Sequence, residues 1–467
     1  MADECDENST TVFVEDWLCC KNTLGEGAYG EVKLLIHKHT NEKIACKIIN
    51  HDKYKDAFSN INREVTIHKI LEHENIIKYY GRRQEPNREY IFLEYAAGGE
   101  LFQLIEPDVG MPVASAQLFM KQLLCGLGYL HEKGITHRDI KPENILISAE
   151  GTLKISDFGM ATLFRFKGKE RLLDKKCGTK PYLAPEVLKR PYRAQPADIW
   201  SCGIVFVAML TGELPWGDTT DENLDFSKWK TEDYILDTPW SKLSNTALNL
   251  ARNILNIDSK KRFNLKQIND HLWMKFNFKM ESSNWDTCDS GSQHIAKRSN
   301  SMINAEINHN RETPVVTLSQ PVPAQRHNNI LKALDNIKTS RKDVISFSQP
   351  TQNDNLVIQF TQTPIEKDDF ENLIKRFTRF YISCSKEKTL EVLCAALESA
   401  YLIPNIDVTG TVSVSTWDMM KNQLVFKINL LNMNGKVLLD FRLSKGCGLQ
   451  FKKLFLKVKE FIICNCN

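Results

Sequence analysis

One polar loop constrains this chain more than any other feature of its sequence. The run His137-Arg138-Asp139-Ile140-Lys141-Pro142-Glu143-Asn144 places a carboxylate, a lysine and an amide close together between apolar segments. Asp139 can accept a proton from a hydroxyl group, Lys141 can neutralise a transferring phosphoryl group, and Asn144 can hold a metal ion. The loop therefore indicates phosphoryl transfer, although each of its residues alone fits a polar turn.

A second acidic residue follows a short apolar strand further along the chain. Asp157, in Ile155-Ser156-Asp157-Phe158-Gly159, suits a magnesium ion that bridges nucleotide phosphates. Ala184-Pro185-Glu186 comes later in the same region. Each fragment alone could be a polar turn, but chance is a poor explanation for the ordered set.

A glycine-rich segment and a lysine extend the pattern towards the N-terminus. Gly25-Glu26-Gly27-Ala28-Tyr29-Gly30-Glu31-Val32 has the form GxGxxGxV, in which glycines let the backbone approach a phosphate chain. The segment lies between predicted strands instead of opening a helix, which disfavours a dinucleotide-binding fold and leaves a glycine-rich hairpin turn as the alternative. Lys47 lies in an apolar strand, where its ammonium group needs anionic partners such as phosphates or Glu64. Otherwise Lys47 extends to solvent from an edge strand.

Composition divides the 467 residues into three zones. Residues 17–277 carry dense apolar periodicity, whereas residues 279–365 are rich in Asn, Ser, Thr, Gln and Pro. The second zone cannot bury enough apolar surface to offset chain entropy, so we expect a disordered linker there. Apolar alternation returns between residues 370 and 461 and predicts a second folded unit. We therefore expect an N-terminal extension at 1–16, a first domain at 17–275, a linker at 276–368 and a C-terminal domain at 369–467.

The overall composition argues against several classes of protein. Hydrophobic residues make up 42% and charged residues 25%, as in ordinary globular proteins, and a formal net charge of +3 indicates no particular partner. The 13 cysteines have no zinc-type spacing, which favours reduced thiols in a reducing compartment. Neither a secretory signal nor an apolar window of about 18 residues is present, so we expect a soluble, intracellular protein.

Local patterns predict a small β-rich lobe followed by a larger helical lobe. Strands around residues 23–36 and 44–49 are typical of a hairpin, and helices are predicted at 60–71, 114–131 and 196–210. In the C-terminal unit we predict helices at 370–383, 388–400 and 451–461, and strands at 408–415, 423–432 and 436–443.

Residues 17–275 resemble a eukaryotic protein kinase catalytic domain, because the whole motif set occurs in order and at the usual spacing. The resemblance implies a bilobal α+β fold that uses ATP and Mg²⁺ to phosphorylate protein Ser or Thr. It implies that Asp139 is the catalytic base with Lys141 beside it. It also implies that Asn144 and Asp157 bind magnesium.

The same resemblance implies an ATP site built from the glycine-rich segment, the next strands, the hinge and the lower lobe. Its expected residues are Leu24, Gly25, Gly27, Gly30, Val32, Ala45, Lys47, Glu64, Leu93, Glu94, Ala96, Glu100 and Leu146. Lys47 is expected to contact the α and β phosphates and to pair with Glu64, and Leu93 is expected to be the gatekeeper. Glu186 is expected to pair with Arg262 in a structural role.

The activation segment lacks the usual phosphorylation site. Between residues 159 and 177 its one hydroxyl residue is Thr162, which directly follows the Asp-Phe-Gly turn. Thr179 is expected to bond Asp139 or Lys141. We therefore expect a catalytic domain that is active without phosphorylation of this segment.

Five Ser-Gln or Thr-Gln pairs cluster in the predicted linker. They begin at Ser292, Ser319, Ser348, Thr351 and Thr361. Such pairs can arise by chance in a Gln-rich segment, but their absence elsewhere favours target sites of kinases that recognise a following glutamine. Phosphates there can break or create charge-assisted contacts.

With this cluster and its C-terminal unit, the chain resembles Ser/Thr kinases of the DNA-damage and replication checkpoint. The resemblance implies Ser319 and Ser348 as the main activating sites. It implies Glu100 and Glu143 as a pocket for an arginine three residues before the target hydroxyl; each could instead be a solvated surface carboxylate. The implied partners are PI3-kinase-like checkpoint kinases upstream, checkpoint adaptors and protein substrates of the cell-cycle machinery. The resemblance also implies that the chain is a monomer and is found in the nucleus and the cytoplasm. It implies no direct nucleic-acid or membrane partner.

The C-terminal unit carries an excess of positive charge. Residues 371–467 contain 14 Lys and Arg against 8 Asp and Glu, a net charge of +6. Phe377-Thr378-Arg379-Phe380 and Phe441-Arg442-Leu443-Ser444-Lys445-Gly446 resemble a kinase-associated domain, which is thought to fold back on the catalytic domain and restrain it. A basic solvated face is the alternative, and Arg379 is the residue with which to test the contact between the two domains.

Two rival interpretations of the whole chain remain. One is an AMPK-related energy or polarity kinase, and the other is a scaffold for phospho-signalling partners.

Overall fold

The computed structural model describes residues 10–14, 16–27, 30–50, 57–278, 378–407, 410–418, 422–433 and 436–466. All five Ser-Gln or Thr-Gln pairs of the predicted linker lie outside these residues, so the sites at Ser319 and Ser348 stay predictions. The described residues of the catalytic and C-terminal regions belong to one compact unit.

An antiparallel sheet and one helix form the upper lobe. The strands are β1 (Thr10–Val14), β2 (Trp17–Gly27), β3 (Gly30–His37), β4 (Lys43–Asn50), β5 (Tyr79–Gln84) and β6 (Arg88–Glu94), and the helix is α1 (Ala57–His68). The strand order is β1-β2-β3-β4-β6-β5. The predicted hairpin is present as β3 and β4, with β2 before them, and the predicted helix begins three residues earlier than expected.

The first strand lies within the region that we assigned to an N-terminal extension. Thr10–Val14 pair with β2, and the Phe13 ring meets Tyr90 edge-on with ring centroids 5.1 Å apart. The folded region therefore begins before residue 17, which corrects our expectation. Pairing with β1 covers an edge of the sheet that would otherwise leave the backbone groups of β2 unpaired.

The lower lobe is mainly helical. Its helices are α2 (Leu101–Leu104), α3 (Val113–Glu132), α4 (Pro185–Lys189), α5 (Ala194–Thr211), α6 (Leu224–Thr231), α7 (Asn245–Ile254), α8 (Leu265–Asp270) and α9 (Leu272–Lys275). Both predicted long helices, α3 and α5, are confirmed within two residues at each end. Among the described residues, α5 alone has the length and hydropathy of a membrane-spanning helix, but 78% of it is buried inside the fold, as in the core helix of a soluble protein.

Short strands carry the polar loops of the lower lobe. They are β7 (Gly99–Glu100), β8 (Ile135–Thr136), β9 (Ile145–Ile147), β10 (Leu153–Ile155), β11 (Thr162–Leu163), β12 (Arg165–Phe166) and β13 (Lys169–Glu170). The predicted catalytic loop lies between β8 and β9, and Asp157 follows β10 directly. The strand pairs β9–β10 and β8–β11 therefore bring the two acidic segments of the sequence to one place.

The C-terminal domain is a five-stranded antiparallel sheet with two helices. Its strands are β14 (Arg379–Ile382), β15 (Pro404–Ile406), β16 (Val412–Trp417), β17 (Gln423–Met433) and β18 (Lys436–Lys445), and its helices are α10 (Lys386–Ser399) and α11 (Gly448–Cys466). The sheet order is β14-β18-β17-β16-β15. The α+β expectation and the helices predicted at 388–400 and 451–461 are confirmed.

One predicted helix of this domain is wrong. We expected a helix at 370–383, but residues 379–382 form β14 and pair with β18, while residues 370–377 lie outside the described residues. Phe380 and Ile382 are buried and Tyr381 is exposed, which is the two-residue alternation of a strand. Tertiary pairing with β18 therefore decides the structure of this segment.

Candidate active site

Asp139 lies at the centre of a cluster of polar side chains. The Thr179 hydroxyl donates to Asp139 Oδ1 at 2.7 Å, and the Asn144 amide donates to Asp139 Oδ2 at 3.0 Å. Lys141 Nζ lies 3.1 Å from Asp139 Oδ2 and donates to the Thr179 hydroxyl at 2.9 Å. The structure thus brings together the carboxylate, the lysine and the amide of the loop, and Thr179 bonds both Asp139 and Lys141.

Asp198 holds the backbone of this loop from below. Its carboxylate accepts hydrogen bonds from the Thr136 hydroxyl at 2.6 Å and from the backbone N–H groups of His137 at 3.1 Å and Arg138 at 2.8 Å. His131 Nε2 lies 2.9 Å from the same carboxylate. Burial alone would raise the pKa of Asp198, but these bonds hold it below the ordinary value. No sequence motif identified Asp198; the available signal was a carboxylate inside the apolar helix α5, a position that is costly without partners.

Lys47, Glu64 and Asp157 form a charged group at the back of the cleft between the lobes. Lys47 Nζ lies 2.7 Å from Glu64 Oε1 and 3.7 Å from Asp157 Oδ1. Burial alone would lower the pKa of Lys47, but the two carboxylates raise it above the ordinary value, so the ammonium stays charged. The predicted pair of Lys47 and Glu64 is present, and the reading of Lys47 as a solvent-facing edge lysine is excluded.

Two side chains near this group have oxygen atoms that could bind a magnesium ion. Asn144 uses its amide nitrogen on Asp139, which leaves its amide oxygen as an acceptor, and Asp157 has a half-exposed carboxylate. Mg²⁺ favours one or two such oxygen ligands together with phosphates and waters. Among the described residues there is no cluster of three or more His, Cys, Asp or Glu side chains that could hold a metal ion by itself.

Aromatic contacts join α1 to the catalytic loop. The Phe158 ring lies between His68 and His137, with ring centroids 4.6 Å and 5.3 Å away. His68 Nε2 lies 2.7 Å from the Ile77 carbonyl oxygen, and burial lowers the pKa of His68 to about 4. A neutral His68 therefore donates to Ile77 while its ring supports Phe158.

The adenine-side residues predicted from the resemblance lie on adjoining strands. Ala45 of β4 pairs with Leu93 of β6, and Leu146 of β9 pairs with Glu100 of β7. A Cβ atom on Gly30 would lie 1.9 Å from the Ile48 carbonyl oxygen, which explains a glycine at that position.

The remaining predicted ATP-site residues fall on the same two regions. Leu24, Gly25 and Gly27 lie on β2 and Val32 on β3. Glu94 ends β6, where it pairs with Lys154 at 2.8 Å, and Ala96 follows it.

The expected structural pair is also present. Arg262 donates to Glu186 through two nitrogens, at 2.6 Å and 3.0 Å, and its guanidinium lies 4.8 Å from the Trp200 ring centre. A bidentate pair of this kind is among the stronger polar contacts in proteins.

Two arginines hold the activation segment through hydrogen bonds to its backbone and to Thr162. Arg138 Nε donates to the Met160 carbonyl at 2.7 Å. Arg171 donates to the Leu163 carbonyl at 2.8 Å and to the Thr162 hydroxyl at 3.2 Å. The arginine of the catalytic loop thus has a partner without a phosphate in this segment.

The C-terminal domain covers Glu143. The backbone N–H of Gly448, the first residue of α11, donates to Glu143 Oε1 at 2.6 Å, whereas Glu143 Oε2 is buried without a donor among the described residues. Burial raises the pKa of the Glu143 carboxyl. Phe102 of α2 packs into the core of the C-terminal domain, and Leu449 packs into the core of the lower lobe.

A second contact joins the C-terminal domain to the upper lobe. Arg442 of β18 donates to the carbonyl and the hydroxyl of Thr23, in the strand that leads to the glycine-rich turn. Arg379 is paired with Asp440 at 2.6 Å, and Asp440 also pairs with Arg442 at 2.6 Å. Arg442 therefore makes the cross-domain bond, and Arg379 supports it through the shared carboxylate.

Comparison with known proteins agrees with this geometry. The model of the protein kinase domain family matches residues 19–274. The chain belongs to the protein kinase family, and it is a Ser/Thr protein kinase with a bilobal catalytic domain.

Three relatives share nearly the whole chain and place it among Chk1-type checkpoint kinases. The Ser/Thr-protein kinase grp of Drosophila melanogaster is 44% identical over 97% of this chain and 93% of its own length. The chk-1 kinase of Caenorhabditis elegans is 38% identical over 94% of this chain and 86% of its own length. The chk1 kinase of Schizosaccharomyces pombe is 32% identical over 94% of this chain and 95% of its own length. These full-length similarities favour the checkpoint type over an energy or polarity kinase.

Proposed function

We propose that this kinase transfers the γ-phosphoryl group of ATP to Ser or Thr of proteins with an arginine three residues earlier, under restraint by its own C-terminal domain. The observation that carries the catalytic part is the hydrogen-bonded cluster around Asp139. Its Oδ1 is bonded by Thr179 and its Oδ2 by Asn144, so the carboxylate is oriented before any substrate arrives. A substrate hydroxyl would exchange with these donors and pass its proton to Asp139.

The other residues act by position and charge. Lys141 stays protonated, because Asp139 and Glu143 offset the effect of burial on its pKa, and it would neutralise the phosphoryl group during transfer. Lys47, oriented by Glu64, would bind the α and β phosphates. Asn144 and Asp157 would hold Mg²⁺, which supplies positive charge to the phosphates when bound. In this scheme Val32, Ala45, Leu93 and Leu146 enclose the adenine.

Glu143 supports the arginine preference. A buried carboxylate oxygen without a donor is costly, and a guanidinium group has the paired N–H groups to satisfy it. In the structure the C-terminal domain is docked on the catalytic domain, and the Glu143 carboxylate accepts one hydrogen bond from the backbone N–H of Gly448 instead. Glu100, at the N-terminal end of α2, would be the second carboxylate for the arginine.

The docked C-terminal domain accounts for restraint. It occupies Glu143 on the lower lobe and contacts Thr23 on the upper lobe, so it competes with substrate and also limits movement of one lobe against the other. We propose that phosphorylation at Ser319 and Ser348 by PI3-kinase-like checkpoint kinases, with checkpoint adaptors, releases it in the DNA-damage and replication response. The released kinase would act on cell-cycle proteins in the nucleus and the cytoplasm.

One steric variant tests this function in the full chain. A Cβ atom on Gly448 would lie 2.7 Å from the Phe102 ring, so Gly448→Leu should undock α11. We expect the dephosphorylated variant to phosphorylate a peptide with Arg at −3 about 5- to 100-fold faster than the dephosphorylated wild type. The same peptide with Ala at −3 should be a poor substrate, and an added Asp139→Asn change should remove activity.

Each part of the proposal fails separately in this assay. Equal rates for both chains, with thermal unfolding confirming that both are folded, would exclude restraint by docking. Equal rates on the Arg and Ala peptides would exclude the role of Glu100 and Glu143. A Gly448→Leu chain that is active as purified but inactive after phosphatase treatment would show that the catalytic domain needs phosphate after all.

A further inference from the structure

Three oxygens beyond the catalytic centre surround the ammonium group of Lys452, which belongs to α11. They are the carbonyl oxygens of Gln103 and Ile105 and a carboxylate oxygen of Glu106, and we call this group the ammonium site. Lys452 Nζ donates to the two carbonyls at 2.9 Å each and to Glu106 Oε2 at 3.3 Å. Lys452 is 4% exposed, so the cation is almost completely enclosed.

The ammonium site belongs to the lower lobe, not to the helix that fills it. Gln103 and Ile105 lie at the C-terminal end of α2, where carbonyl groups lack partners within the helix. Three converging oxygens match the three donors of an ammonium group, whereas a planar guanidinium suits the paired oxygens of a single carboxylate. When α11 leaves, the site would retain its preference for a lysine side chain.

The path of α11 orders the sites along the substrate side. Cys447 is buried in the same hydrophobic core of the lower lobe as Tyr182, three residues after the Thr179 that bonds Asp139, and Gly448 reaches Glu143. Lys452 comes one helical turn later. The order from the catalytic centre outwards is therefore Asp139, then Glu143, then the ammonium site.

The spacing gives a register for a substrate. Gly448 and Lys452 are about 6 Å apart along the helix axis, and a lysine side chain adds up to about the same length, so Glu143 and the ammonium site lie about 6–12 Å apart. An extended peptide advances about 3.3 Å per residue, so this separation corresponds to about two to four residues. With an arginine at −3 on Glu143, the second cation belongs at about −5 to −7.

We propose that the ammonium site is a second specificity subsite, which takes a substrate lysine at −5 to −7 and which Lys452 fills in the docked state. The inference rests on the proposed function, since it takes the −3 arginine on Glu143 as its reference. Substrates would thus carry two separated basic residues before the target hydroxyl, and the C-terminal helix would compete for both places.

Peptide kinetics on the undocked full chain test the subsite. In the Gly448→Leu background, a single lysine is moved from −4 to −8 in a peptide with Arg at −3 and Ala elsewhere. We expect kcat/KM to rise about five- to tenfold for lysine at one or two of the positions −5 to −7, as for one charge-assisted hydrogen-bonded contact. Arginine at the same position should give a smaller gain.

Substitution of Glu106 tests whether the rise in kcat/KM for the lysine peptide comes from the ammonium site. Glu106→Gln should bring the ratio of kcat/KM for the lysine and alanine peptides close to one. Glu42→Gln, which changes an exposed carboxylate in the turn between β3 and β4, should leave that ratio unchanged. If Gly448→Leu does not fold, Arg442→Ala, which breaks the contact with Thr23, serves as the background, with Lys452→Ala added to empty the site.

The possible failures are distinguishable. If the Arg −3 peptide is phosphorylated but no lysine position gives a gain, or if the gain survives Glu106→Gln, the subsite is wrong and the kinase assignment stands. If no peptide is phosphorylated by a folded chain, or if Arg at −3 gives no preference, the proposed function itself fails.

Discussion

At the scale of single residues, His68 shows how burial alone sets a charge state. It is buried against Phe158, it donates to the Ile77 carbonyl, and no motif in the sequence identifies it. Its pKa is about 4, whereas an exposed histidine has a pKa near 6.5. The ring therefore stays neutral when the unfolded chain has already bound a proton.

The sign of the pH effect follows from this difference. As pH falls from about 6.5 towards 4, the unfolded state gains a proton at His68 that the folded state excludes, so up to about 3 kcal/mol of stability is lost. His68→Gln keeps an N–H donor for Ile77 without titrating. We expect its melting temperature to fall less than that of the wild type between pH 7 and pH 5, measured by calorimetry.

An exposed histidine provides the control for this measurement. His39→Gln changes a side chain that is 72% exposed, so it should keep the pH dependence of the wild type. Parallel curves for wild type and His68→Gln would contradict the assigned role of His68.

Sequence motifs identify some of the site residues but not all of them. Asp139, Lys141, Asn144 and Asp157 were identified from sequence because phosphoryl transfer needs these side chains in this order. Asp198 was missed because its role depends on which loop packs above α5, and spacing along the chain does not report that.

At the scale of elements, the end of α5 depends on a glycine. Gly212 has φ +68, and a Cβ atom there would lie 2.1 Å from the carbonyl oxygen of Glu106. Glycine is therefore required twice, for the left-handed backbone that ends the helix and for the close approach of the loop after α2.

A pair of alanine substitutions separates these two requirements. Gly212→Ala should lower the free energy of unfolding by about 2–4 kcal/mol, because backbone strain and a steric clash add. Gly151→Ala, at φ +81 with nothing within 4 Å, should lower it by about 1 kcal/mol through strain alone. Equal losses in urea unfolding would show that the contact with Glu106 relaxes without cost.

Strand β14 shows the limit of local patterns at this scale. Residues 379–382 were predicted as part of a helix, yet they pair with β18. The Arg379–Asp440 pair lies at the end of that pairing, where the two residues face each other across the strands. The partner strand is 50 or more residues away in sequence, so no local window contains the information.

At the scale of the whole molecule, two arginines of the C-terminal domain have different tasks. Burial alone would raise the pKa of Asp440, but Arg379 and Arg442 hold it below the ordinary value. Arg442 also reaches Thr23 of the catalytic domain. Removal of either arginine therefore affects the stability of the domain and its docking to different degrees.

Full-length variants distinguish the two tasks. Arg379→Ala should destabilise the C-terminal domain by about 3 kcal/mol, because it weakens a buried ion pair. Arg442→Ala should destabilise the domain less and raise kcat/KM on an Arg −3 peptide. Both effects can be followed by thermal unfolding and by peptide kinetics on dephosphorylated protein.

Lys445→Ala removes an exposed charge from the same strand, where Lys445 bonds Gln423 at 2.7 Å, so it should change neither quantity. An Arg442→Ala protein that is folded and no more active than the wild type would contradict the role of the Thr23 contact in restraint.

The sequence by itself determined the kinase fold and the residues around the phosphates, because phosphoryl transfer needs particular side chains at particular spacings. It also determined the long helices and the hairpin, whose periodic patterns are local. Only the tertiary structure decided that β1 extends the upper sheet, that residues 379–382 are a strand, and that Gly448 and Lys452 cover Glu143 and the end of α2. The physical reason is that each of these depends on buried contacts between segments distant in sequence, where a backbone N–H or an ammonium finds its acceptor only after the chain has folded.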